Sequence, residues 1–388
     1  MLSPHAPRPI TGAWSLFGLD PAMTHLNHGS VGAVPLPVRR ARQRITDDLE
    51  RDPRGAFKQR VDTTTAARRV CAEFIGAAPE STAFVTNVTT GIAQVLHAMD
   101  FSAGDEIVTT DHGYGSIDAN IAAVGRARGT VHRVAAIPLT PTDDEVVDAV
   151  LAAVTERTRL VVCDHITSST ARLFPIARIA DELRRRDVPL LVDAAHVPGH
   201  LDADIDVIGA DFWVGNLHKW AFAPRGTALL TVAPQWVPRM RPFVESWEHE
   251  RGFPVAVEFN GTTDYTAWLA APAGIELLRG LGVDRVRTYN AELARYGQHV
   301  LAEALGVAVD DPDPSPLAMR LVRLPYRADD HSAANRVEAA IRERLRTELA
   351  VTAFDGSAVL RIAAQVYNTT ADYHRLAREL PTLLKTLD

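Results

Sequence analysis

Two patterns of apolar residues alternate through the middle of the chain. Short apolar runs predict β-strands, and the stretches between them have apolar residues at helical spacing. The predicted strands are 83–86, 106–110, 130–134, 159–164, 189–193, 211–214 and 226–232. The predicted helices between them are 63–75, 91–99, 116–126, 143–154 and 175–186. This alternation predicts an α/β fold with a mostly parallel seven-stranded sheet covered by helices.

The pattern changes towards the C-terminus. A long helix is predicted first, then a strand, a helix and a strand, at 283–301, 318–322, 331–349 and 358–362. These elements are typical of a smaller α+β domain. The predicted organisation is an N-terminal arm, a large domain and a small C-terminal domain, with bounds 1–22, 23–282 and 283–388.

Composition and charge argue against a nucleic-acid-binding protein and against a membrane protein. The 388 residues are 46% hydrophobic and carry a net charge of −7, so no surplus of lysine and arginine is present to neutralise nucleic-acid phosphates. The N-terminus is proline-rich and lacks the apolar core of a signal peptide, and no apolar run approaches membrane-spanning length. We expect a cytoplasmic protein that binds neither nucleic acid nor membranes.

The two cysteines do not indicate a disulfide framework. Cys71 falls in a helical pattern and Cys163 in an apolar strand. Two cysteines in such positions are expected to remain reduced in the core. No metal site is predicted.

Candidate chemistry lies at the ends of two predicted strands. Asp193 ends an apolar strand, and Lys219 follows the next strand beside His218. An acid and a lysine in this order are common in proteins that bind pyridoxal phosphate. The lysine amine forms a Schiff base with the cofactor aldehyde, and the carboxylate keeps the pyridine nitrogen protonated. Trp213 and Trp220 flank the lysine, and the resulting desolvation favours its neutral, nucleophilic form.

Three other turns follow predicted strands and are therefore expected at the same edge of the sheet. Ligands of parallel sheets gather at this edge, where the carboxyl ends of the strands lie. In residues 86–91, TNVTTG, the start of a helix and the Thr89 hydroxyl either bind a phosphate or cap the helix. In residues 110–115, TDHGYG, the histidine or the tyrosine could stack on the pyridine ring. In residues 164–170, DHITSST, hydroxyl groups either contact the cofactor or cap the next turn.

From about residue 23 to the C-terminus, the order of the motifs resembles the class V aminotransferase-fold enzymes of fold type I, and most closely isopenicillin N epimerase-like enzymes. The segments that carry the resemblance are 25–32 HLNHGSVG, 87–89 NVT, 110–115 TDHGYG, 192–199 VDAAHVPG, 218–220 HKW and 360–362 LRI. The resemblance implies the pyridoxal-phosphate-dependent transferase fold and this cofactor. It specifies the reaction much less closely.

By this resemblance, Lys219 is the Schiff-base lysine and Asp193 is the partner of the pyridine nitrogen. The stacked ring matches His112 or Tyr114, depending on how the turn is aligned. Three residues are expected near the phosphate, namely Thr89, Asn216 and His218. His196 and Ser168 are expected near the phenolic oxygen, and Val88 is also expected to bind the cofactor.

The resemblance also implies a homodimer with active sites at the interface. Thr262 matches a threonine that reaches the phosphate of the partner subunit. Arg361 matches the arginine that binds the substrate α-carboxylate. A planar guanidinium group can donate two parallel hydrogen bonds to a carboxylate, which agrees with this role. Asn27 and His28 are expected to assist it.

An enzyme of this kind acts at Cα of an amino acid or amino-acid conjugate, where Lys219 removes a proton. The favoured reaction is epimerisation, with His28, His112 or Tyr114 as the second acid. The alternatives are C–S β-elimination from an S-conjugated cysteine, decarboxylation-linked oxidative deamination, transamination, and a non-catalytic protein with this fold. Residues 352–357 contain no cysteine, which disfavours a persulfide-forming desulfurase.

Overall fold

The computed structural model describes residues 5–202, 204–309 and 315–387, so the first four residues of the predicted arm lie outside it. By their contacts the residues form two compact units. The small unit comprises the described parts of Met1–Leu36, Ser169–Arg172 and Leu278–Asp388. The large unit comprises Pro37–Ser168 and Leu173–Leu277.

The elements are as follows, in chain order. The strands are β1 (Thr24–His25), β2 (Thr82–Val85), β3 (Glu106–Thr110), β4 (Val131–Ala135), β5 (Thr158–Asp164), β6 (Leu190–Asp193), β7 (Phe212–Asn216), β8 (Ala228–Val232), β9 (Met319–Arg327), β10 (Thr347–Glu348), β11 (Ala350–Phe354) and β12 (Ser357–Ala363). The α-helices are α1 (His28–Val31), α2 (Leu36–Arg51), α3 (Pro53–Phe74), α4 (Val88–Ala98), α5 (Gly115–Arg128), α6 (Asp143–Ala153), α7 (Ile176–Arg184), α8 (Ile205–Ile208), α9 (Val255–Glu258), α10 (Thr266–Leu269), α11 (Ala271–Leu281), α12 (Val283–Leu305), α13 (His331–Leu345) and α14 (Thr370–Leu384). Short 3₁₀ helices lie at Trp14–Leu16, Pro79–Ser81, Val237–Arg239 and His249–Arg251.

The large unit is built on a seven-stranded sheet with the order β2-β8-β7-β6-β5-β3-β4. The pairs from β7 through β4 are parallel, and β8 runs antiparallel to both of its neighbours. The predicted α/β fold with a mostly parallel seven-stranded sheet is therefore confirmed. The carboxyl ends of β3, β5, β6 and β7 meet at one edge, where a ligand site is expected.

Most strands of the large sheet are continuous apolar runs in the sequence because both of their faces are buried. Every residue of β2, β3, β6, β7 and β8 is buried, as expected for strands covered on both faces. Helix α4 covers one face with Ile92, Val95 and Leu96, which belong to the same core cluster as Val214 and Leu230. This packing fixes the first turn of α4 next to the end of β7.

The cysteines are placed as expected. Cys71 and Cys163 are both buried and free. Burial raises the pKa of the Cys163 thiol well above its usual value, so the thiol stays protonated and unreactive.

The small unit contains an antiparallel sheet of order β11-β12-β9, together with α12, α13 and α14. The predicted helix at 331–349 ends earlier, at Leu345. Arg346 then takes a left-handed conformation with φ 49°, and β10 pairs in parallel with β1. The helix prediction was wrong for Thr347 and Glu348. Their strand partners, Thr24 and His25, lie more than 300 positions away, so the local sequence pattern does not indicate the pairing. Among the described helices, none is both long and apolar enough to cross a membrane.

Candidate active site

Lys219 lies in the turn that follows β7, and only 8% of the residue is exposed. Its Nζ atom is 3.1 Å from Nε2 of His196. Gly199 allows this turn to pack closely, because a Cβ atom at that position would lie 2.5 Å from the carbonyl oxygen of Trp220. A buried amine held by a histidine is suited to a covalent role, because it is shielded from water.

Asp193 is the last residue of β6 and is buried. One of its carboxylate oxygens accepts a hydrogen bond of 2.9 Å from the backbone N–H of Ala195. Burial raises the pKa of Asp193 to about 6, while the Ala195 N–H and the nearby Lys219 side chain act in the opposite direction. The group is therefore ionised at neutral pH and ready to pair with a protonated nitrogen.

His196 connects the lysine to a hydroxyl group. Its Nε2 atom lies 3.4 Å from the Ser168 hydroxyl as well as close to Lys219. Its Nδ1 atom faces the indole N–H of Trp220 at 3.4 Å. The structure thus brings four predicted residues of the large unit into one group: Lys219, Asp193 and His196, which are buried, and Ser168, which is half-buried.

The expected phosphate site lies at the first turn of α4. The Asn87 side chain caps this helix by accepting a hydrogen bond from the Thr90 N–H at 2.8 Å. The Val88 N–H donates to the side-chain oxygen of Asn216 at 3.1 Å, which leaves the Asn216 amide NH₂ as a donor for an anion. Thr89 is half-buried in the same turn. The positive end of the helix dipole favours a phosphate here.

His218 has its Nδ1 atom 3.0 Å from the carbonyl oxygen of Thr227, so Nδ1 carries a proton and donates it. Burial lowers the pKa of His218 to about 4. The ring is therefore neutral at pH 7, and its Nε2 atom acts as an acceptor. A phosphate beside this nitrogen would need to raise the pKa before the ring could donate to it.

The two candidates for the stacked ring differ in exposure. His112 is 1% exposed, its Nε2 atom is 3.1 Å from the carbonyl oxygen of Ile137, and its ring meets Phe174 edge-on. Tyr114 is 47% exposed and lies at the start of α5. His112 is therefore packed inside the large unit, whereas Tyr114 is largely exposed.

Thr262 is exposed in the loop before α10. It lines a cavity of about 480 Å³ together with Arg42, Arg225 and two threonines of the α4 region, Thr86 and Thr90. No hydrogen bond is seen between Thr262 and the buried group among the described residues.

The small unit contains the predicted substrate residues. Arg361, in β12, is 5% exposed and donates a hydrogen bond from Nη2 to the side-chain oxygen of Asn27 at 2.8 Å. His28 is buried, with Nδ1 3.1 Å from the Tyr367 hydroxyl. These three residues are therefore held in place by polar contacts within their own unit.

Two residues of the site were not singled out from the sequence. Asp164 is the last residue of β5 and the register partner of Asp193 in the parallel pair. Trp220 was noted only as a neighbour of the lysine, whereas its indole N–H contacts His196. The first could have been found by aligning the ends of consecutive apolar strands, but the second depends on tertiary folding.

The donor set fits pyridoxal phosphate. A buried amine suits the aldehyde, an ionised buried carboxylate suits the pyridine nitrogen, and a helix N-terminus suits the phosphate. No cluster of three or more His, Cys, Asp or Glu side chains that could hold a metal ion occurs in the described part of the chain.

Together, this sheet and this lysine, carboxylate and histidine define a pyridoxal-phosphate-dependent enzyme of fold type I. The family model for "Aminotransferase class-V" matches residues 51–376, and the chain belongs to this family. The predicted family and cofactor are thereby confirmed.

Three similar proteins illustrate the range of the family. Isopenicillin N epimerase of Streptomyces clavuligerus is 33% identical, over 94% of this chain and 96% of its own. A probable chloroplastic L-cysteine desulfhydrase of Arabidopsis thaliana is 29% identical, over 94% and 84% of the two chains. The solved structure of the cystine C–S lyase C-DES with cysteine persulfide has a TM-score of 0.78 at 22% identity, covering 92% and 97% of the two chains, and shows a common fold.

Proposed function

We propose that this enzyme epimerises an amino acid or amino-acid conjugate at Cα. The buried contact between Lys219 and His196, next to Asp193, supports removal of a proton from Cα. The 33% identity to isopenicillin N epimerases over nearly the whole of both chains supports this reaction. When bound, pyridoxal phosphate supplies an electron-withdrawing ring that stabilises negative charge at Cα.

The residues of the chain have distinct tasks in this proposal. Lys219 binds the cofactor and takes the proton from Cα. Asp193 keeps the pyridine nitrogen protonated, and burial excludes water from both groups. His112, which is buried, is proposed as the stacked ring in preference to the exposed Tyr114. Thr89 and Asn216 are proposed to bind the phosphate at the start of α4.

Arg361 is proposed to bind the substrate carboxylate. Its guanidinium group is already oriented by Asn27, so little side-chain entropy is lost when a carboxylate binds. His28, oriented by Tyr367, is proposed to return a proton to Cα. The substrate is then an amino acid or amino-acid conjugate with a free α-carboxylate.

C–S β-elimination is the second candidate. It needs the same lysine, carboxylate and arginine, and it needs no further acid. L-cysteine desulfhydrases occur among the similar proteins at 29% identity. Residues 352–357 form the hairpin between β11 and β12 and contain no cysteine. A persulfide-accepting thiol is therefore absent from that hairpin, so any sulfur would leave as a free thiol or persulfide.

Two measurements test the function. The purified protein is expected to be yellow, and the visible absorption is expected to disappear in Lys219→Ala. Wild-type protein that stays colourless after pyridoxal phosphate is added would exclude the enzyme proposal. Candidate amino acids and S-conjugates are then incubated in deuterated water: deuterium at Cα with an inverted stereocentre supports epimerisation, whereas pyruvate and a thiol support elimination.

We also propose a homodimer in which Thr262 contacts the phosphate of the partner subunit. Thr262 is exposed, and so is Phe243, which lines the same cavity; Val244 and Trp247 follow Phe243 and are also exposed. Exposed large apolar side chains are frequent at interfaces between subunits. Mixing Lys219→Ala with Thr262→Asp subunits is expected to restore activity that neither variant has alone. No restoration after subunit exchange would contradict a shared site.

A further inference from the structure

The His196 ring is held between two other side chains of the site. Its Nδ1 atom is 3.4 Å from Trp220 Nε1, and its Nε2 atom is 3.1 Å from Lys219 Nζ. His196 is 0% exposed and Trp220 is 2% exposed. Both side chains are therefore shielded from bulk water, and these two contacts bear on where the proton of the ring lies.

The donor chemistry leaves one arrangement that satisfies both contacts. An indole N–H can only donate, so Nδ1 of His196 must accept. A neutral imidazole carries a single proton, so this proton is on Nε2. The Nε2–H group then points to Lys219. An ammonium group has no lone pair and cannot accept a hydrogen bond, whereas a neutral amine can.

The contacts of Ser168 and His200 with His196 are compatible with this arrangement. The Ser168 hydroxyl, 3.4 Å from Nε2, can either donate or accept. His200 uses its own Nδ1 to contact the His196 backbone oxygen at 3.0 Å, and its ring packs on Trp220 with centroids 4.3 Å apart. Asp193 is the opposing influence, because a carboxylate near Lys219 favours an ammonium group.

We propose that Trp220 is a positioning residue that fixes His196 as the Nε2–H tautomer and thereby favours the neutral amine of Lys219. The neutral amine is the form that reacts with an aldehyde. This inference rests on the proposed role of Lys219. It explains why a tryptophan directly follows the lysine: the lysine side chain reaches one nitrogen of the histidine, and the indole reaches the other.

The test is nitrogen-15 NMR of the histidine side chains in the full-length protein, both as purified and after removal of the cofactor. The His196 signals are assigned by their loss in His196→Gln. We expect a protonated Nε2 and an unprotonated Nδ1 in the wild type at pH 7. A wild-type ring with its proton on Nδ1, or a doubly protonated ring, overturns the proposal without any tryptophan variant.

Trp220→Phe keeps an aromatic ring but removes the donor. We expect a mixture of tautomers and a rise of about one pH unit in the His196 titration midpoint, because protonation of Nδ1 no longer breaks a hydrogen bond. Trp268→Phe is the matched control: Trp268 is also buried and donates from Nε1 at 3.0 Å, but to the Gly226 oxygen. Its His196 signals should equal those of the wild type.

The outcomes separate this proposal from the proposed function. A Trp220→Phe protein with unchanged His196 signals and an unchanged midpoint contradicts the role of Trp220, even if the protein binds pyridoxal phosphate. The expected tautomer in a protein that binds no cofactor supports the hydrogen-bond arrangement and contradicts only the enzymatic function.

Discussion

Asp164 and Asp193 end adjacent parallel strands and are register partners, so two carboxyl groups lie buried side by side at the edge of the sheet. Burial raises the pKa of Asp164 well above its usual value, and the neighbouring charge of Asp193 raises it further. Like charges this close do not both ionise, and Asp164 holds the proton while Asp193 is ionised. The site therefore contains one carboxylate and one neutral acid.

This pairing predicts a pH-dependent stability. Between its unfolded pKa, 3.8, and its raised folded pKa, Asp164 is ionised in the unfolded chain but protonated in the folded one, so stability falls as the pH rises through this range. We expect Asp164→Asn to stabilise the cofactor-free protein relative to wild type, by an amount that increases as the pH rises above 4. Urea unfolding at pH 4, 5, 6 and 7 measures it.

Asp181→Asn is the control, because Asp181 is exposed and pairs with Arg184 on the surface of α7. Its effect on stability should be small at each of these pH values. An Asp164→Asn effect that is the same at pH 4 and pH 7 would show that Asp164 is ionised in the folded protein.

The buried ion pair between Arg68 and Glu258 predicts a large mutational effect. Arg68 Nη1 lies 2.5 Å from one oxygen of Glu258, and the other oxygen accepts the Phe84 N–H at 2.9 Å. Arg68→Met is expected to destabilise the protein by about 3–5 kcal/mol, because it leaves a buried carboxylate without its partner. The midpoint of urea unfolding at pH 7.5 reports the loss.

A second substitution tests the cause. Glu258→Gln in the Arg68→Met background removes the buried charge but keeps an acceptor for Phe84, so much of the lost stability should return. The exposed pair of Arg178 and Asp144 is the matched comparison, and Arg178→Met should cost less than about 1 kcal/mol. Equal losses at the two sites would show that burial of the pair is unimportant.

Close packing in the small unit predicts the effect of a single methyl group. A Cβ atom at Gly297, in α12, would lie 2.3 Å from the ring of Tyr373 in α14. Gly297→Ala is therefore expected to destabilise the protein by about 1–3 kcal/mol. At Gly280, in α11, the new Cβ would meet no heavy atom within 4 Å beyond its chain neighbours and the backbone of its own helix, so Gly280→Ala should stabilise by up to about 1 kcal/mol. Thermal unfolding distinguishes the opposite signs.

If Arg361 binds the substrate α-carboxylate as proposed, its replacement should weaken substrate binding. Arg361→Ala is expected to raise KM by about 10- to 100-fold, since hydrogen bonds to a charged group contribute about 1.5–3 kcal/mol. Arg361→Lys keeps the positive charge but cannot form two parallel hydrogen bonds to the carboxylate, so it should recover only part of the affinity. Steady-state kinetics on the substrate found in the deuterium experiment measures both.

Arg327→Ala provides the control, because Arg327 is exposed at the end of β9 and pairs only with the exposed Asp329 among the described residues. Its KM should equal that of the wild type. An unchanged KM in Arg361→Ala would remove Arg361 from the substrate site.

The sequence by itself determined the large sheet and the position of its chemistry. Continuous apolar runs report burial on both faces, which is a local property of each strand, and the ends of those runs place Asp193 and Lys219 at one edge. Tertiary structure alone decided the pairing of β1 with β10, the burial of His112 in place of Tyr114, and the contact of Trp220 with His196. These features depend on residues brought together from distant parts of the chain or from different turns, and periodicity along the chain contains no information about such contacts.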